Sequence, residues 1–531
     1  MLNRILRRLP VVALVLAAFG SLPVAARVPR SAVPLSPRAL VSRPAAAYPA
    51  VAPSATPAVT PTSPAAARAS NLAGYRPALR PEFASDLQAV AQATRYSIQV
   101  TLHPGASPTL TGLERVHYTN THSATLNEVD FRLFPNLPGY GGSMTVGAVA
   151  LGNAVANTRL ISQNSALRVL LNTPLPRGAS IDLTLPFTDT LPSDNKNGYA
   201  VFSYVDGVYA LAGFYPIIPV YDQNGWHVEV SPTYGDVTFT EVALYDVSLT
   251  VPADLVAVTT GRVVKMADNP DGTRTWRAVA APVRDFYVAL SADFRVVSQT
   301  WEDVQVNSYY RSAQAESGQL ALQYAISALN FYSQQFGAYP YAVYDIAATP
   351  TTAGGIEYPG VIVVAEQLYA SPDDYFQFVL AHETAHQWWY GLVGSDQVND
   401  PWQDEALVNY CAYYYFDKVV GADRAAALKN RLFDEPYRNA LREGRDRPVA
   451  GAVASFDAAD YGTIVYGKGP LFFDAVRARL GDAAFIAGLR DYLREHRYGV
   501  AYPADLIDAF ENASGQWTGD LYQFWIEGKT Q

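Results

Sequence analysis

The amino-acid sequence predicts an α+β multidomain protein, an N-terminal β-sandwich-like part followed by a mainly helical part. Three observations carry this. Apolar residues alternate with period two from about Tyr96 to Val297, and helical periodicity takes over from Glu316. The chain has 531 residues, 49% hydrophobic and 17% charged, which is more than one core holds and enough to fill two or three.

At the N-terminus, Arg4, Arg7 and Arg8 precede an apolar run from Val11 to Phe19, and Val24-Ala25-Ala26 offers small residues for a signal peptidase. Residues 1–26 therefore read as a signal peptide, and the expected location is secreted or extracytoplasmic. Pro10, Gly20, Ser21 and Pro23 interrupt the stretch as a spanning helix, so membrane attachment is expected only if it stays uncleaved. Residues 27–80 are rich in Pro, Ala and Ser and read as a disordered linker.

Residues 81–298 read as an all-β domain. Ser97–Leu102, Ser180–Leu185 and Tyr245–Val251 each alternate as strands with one buried face, separated by Gly, Asn and Pro turns. Residues 299–531 read as a second domain. Glu316–Phe336 is an amphipathic helix closed by Gly337, Ala342–Ala348 is a strand, and helices dominate from Tyr375 through Phe524.

Within this half lies His382-Glu383-Thr384-Ala385-His386. Two histidines four apart share one helix face and can hold one metal ion, and Glu383 between them can take a proton from water beside it. A buried hydrogen-bonded histidine pair is the competing reading of this motif alone. A catalytic zinc needs a third protein donor, and Glu405 is the candidate, nineteen residues after His386 on a second helix opened by Pro401.

H-E-x-x-H with a Glu at this distance, in the context Trp402-Gln403-Asp404-Glu405 to Tyr410, resembles the M1 peptidase family, the gluzincin zinc aminopeptidases that include aminopeptidase N and leukotriene hydrolase-like members. Two further stretches are similar to family motifs. Gly354-Gly355-Ile356-Glu357-Tyr358 resembles G-x-M-E-N, with Ile for Met and Tyr for Asn, and Tyr461 to Gly469 carries the element whose tyrosine is Tyr466. The resemblance implies a saddle of β-strands before a thermolysin-like catalytic domain. It implies one Zn2+ per chain on His382, His386 and Glu405, Glu383 as base and Tyr466 as oxyanion donor. It also implies substrate contacts from Gly354, Gly355 and Glu357, the last holding a free α-ammonium group, with Tyr461 beside the pocket or simply packed. Peptides with a free N-terminus are the implied substrates. Family members usually continue into a large helical domain, so a short form with a pocket open on one side is expected.

A net charge of −10 excludes nucleic acid as an expected partner, and oligomeric state is not legible. The single cysteine, Cys411, excludes an internal disulfide and reads as a buried hydrophobe. His103, His117, His122, His227 and His496 read as surface or packing residues, and Trp388-Trp389 as core. Two other functions remain open on the residues: a zinc endopeptidase or other amide or epoxide hydrolase on the same site, or a non-catalytic secreted peptide-binding protein.

Overall fold

The computed structural model describes residues 72–529 except 153, 197 and 238. The expected signal peptide and the linker as far as residue 71 lie outside the described residues. Residues 72–80, expected to be disordered linker, are ordered. Ala73–Ala78 form a 3-10 turn, Leu72, Tyr75, Ala78 and Leu79 are buried, and Arg80 N donates to Pro340 O at 2.9 Å. The apolar side chains decide this: composition marks Pro77 and the alanines as linker-like, but Tyr75 and Leu79 have a core to join.

The β-rich half is built on a nine-stranded sheet. At its centre Thr94–His103 pairs parallel with Ala243–Pro252 and antiparallel with Thr109–Thr119, and Ser180–Thr190 extends it. Tyr96, Ile98, Val100 and Leu102 are buried while Ser97, Gln99 and His103 are exposed, the period-two pattern expected of a one-sided strand. Smaller sheets of four, three and two strands complete the described part of this half.

The second half opens with a five-stranded sheet: β1 (Phe294–Trp301), β2 (Val304–Arg311), β3 (Val343–Thr349), β4 (Gly355–Tyr358) and β5 (Val361–Ala365), in the order β1-β2-β3-β5-β4. The expected boundary at 298/299 falls inside β1, so this half begins before Phe294. The described residues form one compact unit with a continuous hydrophobic core across both halves. Arg284, 1% exposed, helps to join them, donating to Thr240 O, Tyr390 O and Gly499 O.

Three helices position the site: α1 (Ala315–Gln335), α2 (Asp374–Ala385) and α3 (Trp402–Tyr415). Asp373 caps α2, its Oδ1 accepting from Tyr375 N and Phe376 N. Phe376 through Ala385 are all buried, as expected of a central helix covered on every side. Trp388 and Trp389 follow in the core, at 0% and 1% exposure, and Cys411 is buried. Among the described residues no helix is long and apolar enough to cross a membrane.

Candidate metal and active site

His382 lies in the last turn of α2, His386 caps it, and Glu405 lies in the first turn of α3. The packing of the two helices brings their donor atoms together. His382 Nε2 and His386 Nε2 are 3.3 Å apart, and Glu405 Oε2 is 3.3 Å from the first and 3.6 Å from the second. Donors about 2.0–2.1 Å from one tetrahedral ion lie roughly 3.3–3.4 Å from each other. Each histidine occupies its other nitrogen, His382 Nδ1 on Asn409 Oδ1 at 2.8 Å and His386 Nδ1 on Trp389 O at 3.0 Å. Those acceptors put the ring proton on Nδ1 and leave the Nε2 lone pairs facing the common point. Glu405 Oε2, buried, makes no hydrogen bond. Two imidazoles and a carboxylate at this spacing fit zinc.

The electrostatics agree. Burial pulls His386 down, but Glu357 and Glu405 outweigh it and lift its pKa to about 10. Burial raises Glu405, yet the two histidines hold it well below the usual carboxylate range. This concentration of negative charge around Nε2 favours a cation.

Glu383 is buried and lies with Glu357 and His386 in a second group whose ligand-type atoms are all within 4.8 Å of one another. Burial and the carboxylates of Glu357 and Glu405 push its carboxyl well up, against the pull of His386. The edge strand β4 passes directly beside it. A Cβ on Gly355 would stand 2.3 Å from Glu383 Oε1, so only glycine admits this approach. Gly354 is under no such constraint, since its nearest neighbour would be Tyr375 Oη at 3.4 Å. Gln387, one turn beyond Glu383, holds the strand to the helix by accepting from Gly360 N at 2.8 Å and donating to Tyr358 O at 3.2 Å.

Tyr461 and Tyr466 share a π-helical segment, Tyr461–Lys468, a wide turn of the kind that often re-aims side chains at a site. The Tyr466 ring stacks near His382 with centroids 6.2 Å apart, and its hydroxyl feels the charge of Glu405. Burial, Glu405 and Tyr461 raise its pKa far above the ordinary value, so it remains a neutral donor. Tyr461 is buried against Tyr466, Phe456 and Tyr234, and its hydroxyl has no partner.

All nine residues expected from the sequence thus converge on one place. Others do so without a sequence signal. Asn409 links His382 to the tyrosine segment, donating to Tyr466 O at 2.9 Å. Its place one turn after Glu405 on α3 was the available clue. Gln397 joins Glu357 to Asp404, and Asp236, from a loop of the β-rich half, faces Glu357 and Glu405. His227 is not a plain packing residue, lying 3.0 Å from both Asp222 Oδ2 and Glu229 Oε1 and 3.8 Å from Asp396 Oδ2.

Comparison with known proteins gives the same reading. The chain is 24% identical over 424 residues to aminopeptidase N of Lactococcus lactis subsp. lactis, covering 72% of this chain and 46% of that one. It is 26% identical over 307 residues to the puromycin-sensitive aminopeptidase of Caenorhabditis elegans, covering 54% and 32%. The chain spans less than half the length of these relatives. The M1 zinc metallopeptidase of Deinococcus radiodurans shares the fold, with a TM-score of 0.61 at 19% identity over 83% of this chain and 95% of that one. A substituted form of that enzyme is known bound to a Tyr-Ser-Ala substrate. Residues 320–525 match the model of the peptidase family M1 domain. Those bounds hold His382, Glu383, His386 and Glu405, so residues 320–525 of the chain are a peptidase family M1 domain.

Proposed function

We propose that the chain is a zinc-dependent aminopeptidase that removes the first residue from peptides with a free N-terminus. The observation that carries this is the position of Glu357, a buried carboxylate held on an edge strand within 4.8 Å of Glu383 and His386. An anionic group so close to the hydrolytic centre anchors an α-ammonium and limits cleavage to one residue beyond it. The relatives named aminopeptidases and the Deinococcus enzyme with its tripeptide support the same reading.

His382, His386 and Glu405 would hold the zinc, whose Lewis acidity makes water a nucleophile near neutral pH and polarises a carbonyl. Glu383, with its raised pKa, accepts the proton of the attacking water and returns it to the departing amine. Tyr466 donates its hydroxyl hydrogen toward the carbonyl oxygen as negative charge develops there. Glu357 orients the substrate through a charge-assisted contact that an acetylated terminus cannot make.

The test is hydrolysis of amino-acid anilides and their N-acetyl counterparts by the wild-type chain, Glu383→Gln and Glu357→Gln, with zinc measured in each. The reading predicts cleavage of free amines only, loss of about 10²–10⁴-fold in kcat for Glu383→Gln with zinc retained, and a raised KM for Glu357→Gln. Efficient cleavage of the acetylated substrates would turn the assignment to an endopeptidase.

We infer export as well, from the arginines and apolar run of residues 1–26. N-terminal sequencing of the protein from culture medium and membranes tests it. A mature chain starting near Arg27 supports cleavage, and an intact Met1 in the membrane fraction supports an anchor.

A further inference from the structure

A cavity of about 70 Å³ opens beside Ile356, Glu357 and Tyr358, room for several waters or the end of one long side chain. Its wall combines two kinds of group. Phe134, Tyr140, Tyr199, Tyr215 and Tyr390 present aromatic rings, and four carboxylates, Glu229, Asp236, Asp285 and Glu357, face two cationic side chains, Arg132 and His227. The two cations lie at one corner, with Nη2 of Arg132 left without a hydrogen bond. Arg132 donates to Glu229 O, and His227 sits between Asp222 and Glu229 at 3.0 Å from each. Of the remaining acids, Glu357 lies within 4.8 Å of His386, and Asp285 feels the Arg284 guanidinium, whose nitrogens are taken up by three backbone carbonyls. Asp285 is 8% exposed, receives only the Tyr390 hydroxyl on Oδ2, and leaves Oδ1 without a hydrogen bond. Asp236 Oδ2, also shielded from solvent, has no partner either.

Two of the lining tyrosines stand in left-handed backbone, Tyr199 at φ 53° and Tyr390 at φ 134°. Tyr390 follows the last residue of the metal helix, Ala385, by five positions and reaches across to Asp285, so the strained residue presents the acid to the cavity. A buried carboxylate oxygen lacking a donor, flanked by aromatic faces, is matched best among natural side chains by a guanidinium or ammonium, which supplies several N–H donors and a positive charge and stacks on rings.

We propose that this cavity receives the first side chain of the substrate and selects arginine or lysine, with Asp285 the residue that determines the preference. The inference rests on the aminopeptidase reading, since Glu357 places the α-ammonium at the cavity mouth.

The test compares anilides of arginine, lysine, leucine, phenylalanine and citrulline, the last matching arginine in shape without its charge. The zinc-loaded wild-type chain is expected to favour arginine over citrulline by at least tenfold in kcat/KM. Asp285→Asn, which keeps an acceptor for Tyr390, is expected to lower the arginine-to-leucine ratio by 10- to 100-fold. Equal cleavage of arginine and citrulline, or a ratio unchanged by the substitution, overturns the proposal while leaving the aminopeptidase intact. If no free-amine anilide is cleaved, the aminopeptidase reading itself falls. The cavity is then judged by calorimetry with L-argininamide and L-citrullinamide: preferential binding of the first sustains it, and equal binding overturns it. Should Asp285→Asn fail to fold, the arginine-to-citrulline comparison on the wild-type chain decides alone.

Discussion

Gln397 donates from one amide nitrogen to Glu357 Oε1 at 3.0 Å and to Asp404 Oδ2 at 2.8 Å, tying the carboxylate proposed to hold the substrate amine to the residue next to the metal ligand Glu405. Gln397 is 1% exposed, so these bonds are shielded from water. Replacing it with Ala leaves Glu357 free to rotate and removes about 1 kcal/mol of hydrogen bonding per contact. The expected outcome for Gln397→Ala is a KM about tenfold higher for free-amine substrates, with kcat changed much less. Gln397→Glu puts a third negative charge between two others and should cost more. A fall confined to kcat would place Gln397 elsewhere in the reaction.

Tyr466 stands where a neutral donor acts only on developing charge. Tyr466→Phe removes the hydroxyl and keeps the ring beside His382. It should lower kcat by about 10²–10³-fold with KM and zinc content near wild type. Steady-state kinetics with metal analysis checks this, and a variant that retains wild-type kcat would remove Tyr466 from the mechanism.

Three buried ligand groups that converge on one point gain binding free energy in the folded chain alone when a metal ion joins them. Chelation should therefore lower the melting temperature as well as abolish hydrolysis, and added zinc should restore both in the wild-type chain. Glu405→Ala should melt at one temperature with or without zinc. Differential scanning fluorimetry distinguishes this from a site that binds metal only weakly.

His227 supplies a pH-dependent contribution to stability. Burial alone would lower its pKa, but Glu229, Asp222 and Asp396 together lift it from 6.5 to about 9. The folded chain binds this proton more tightly than the unfolded chain does. The stabilisation is complete below about pH 6.5 and disappears as pH rises through 9. His227→Gln should be destabilised at pH 6, with the deficit shrinking toward pH 10. Urea midpoints across that range measure it, and a constant deficit would mean that only the packing of His227 against Phe239 matters.

The residues proposed to perform the chemistry were legible because that chemistry constrains their type and spacing. His382, Glu383 and His386 need one helix face, and Glu405 needs a second helix. Gly355 shows a motif residue gaining its physical reason only in three dimensions, where Glu383 occupies the space of its absent Cβ. Gln397, Asp236 and Asp285 carried no such mark. They arrive from loops and from the β-rich half, and their roles depend on approach between segments far apart in sequence. The boundary at 298/299 failed for a related reason, since an edge strand with one wet face looks the same in either half. Residues 72–80 were misread because composition reports what a segment cannot build alone and says nothing of the core it joins.

Arg284 has a consequence for how the chain is made. Its guanidinium is enclosed among three carbonyls, and one belongs to Gly499, 215 residues later. At about 5–20 residues per second, that acceptor leaves the ribosome roughly 10 to 40 s after the arginine does. Throughout that interval the β-rich half holds a cation whose last acceptor has not been synthesised, so it cannot close around it. The lock between the two halves is therefore set only after Gly499 has emerged.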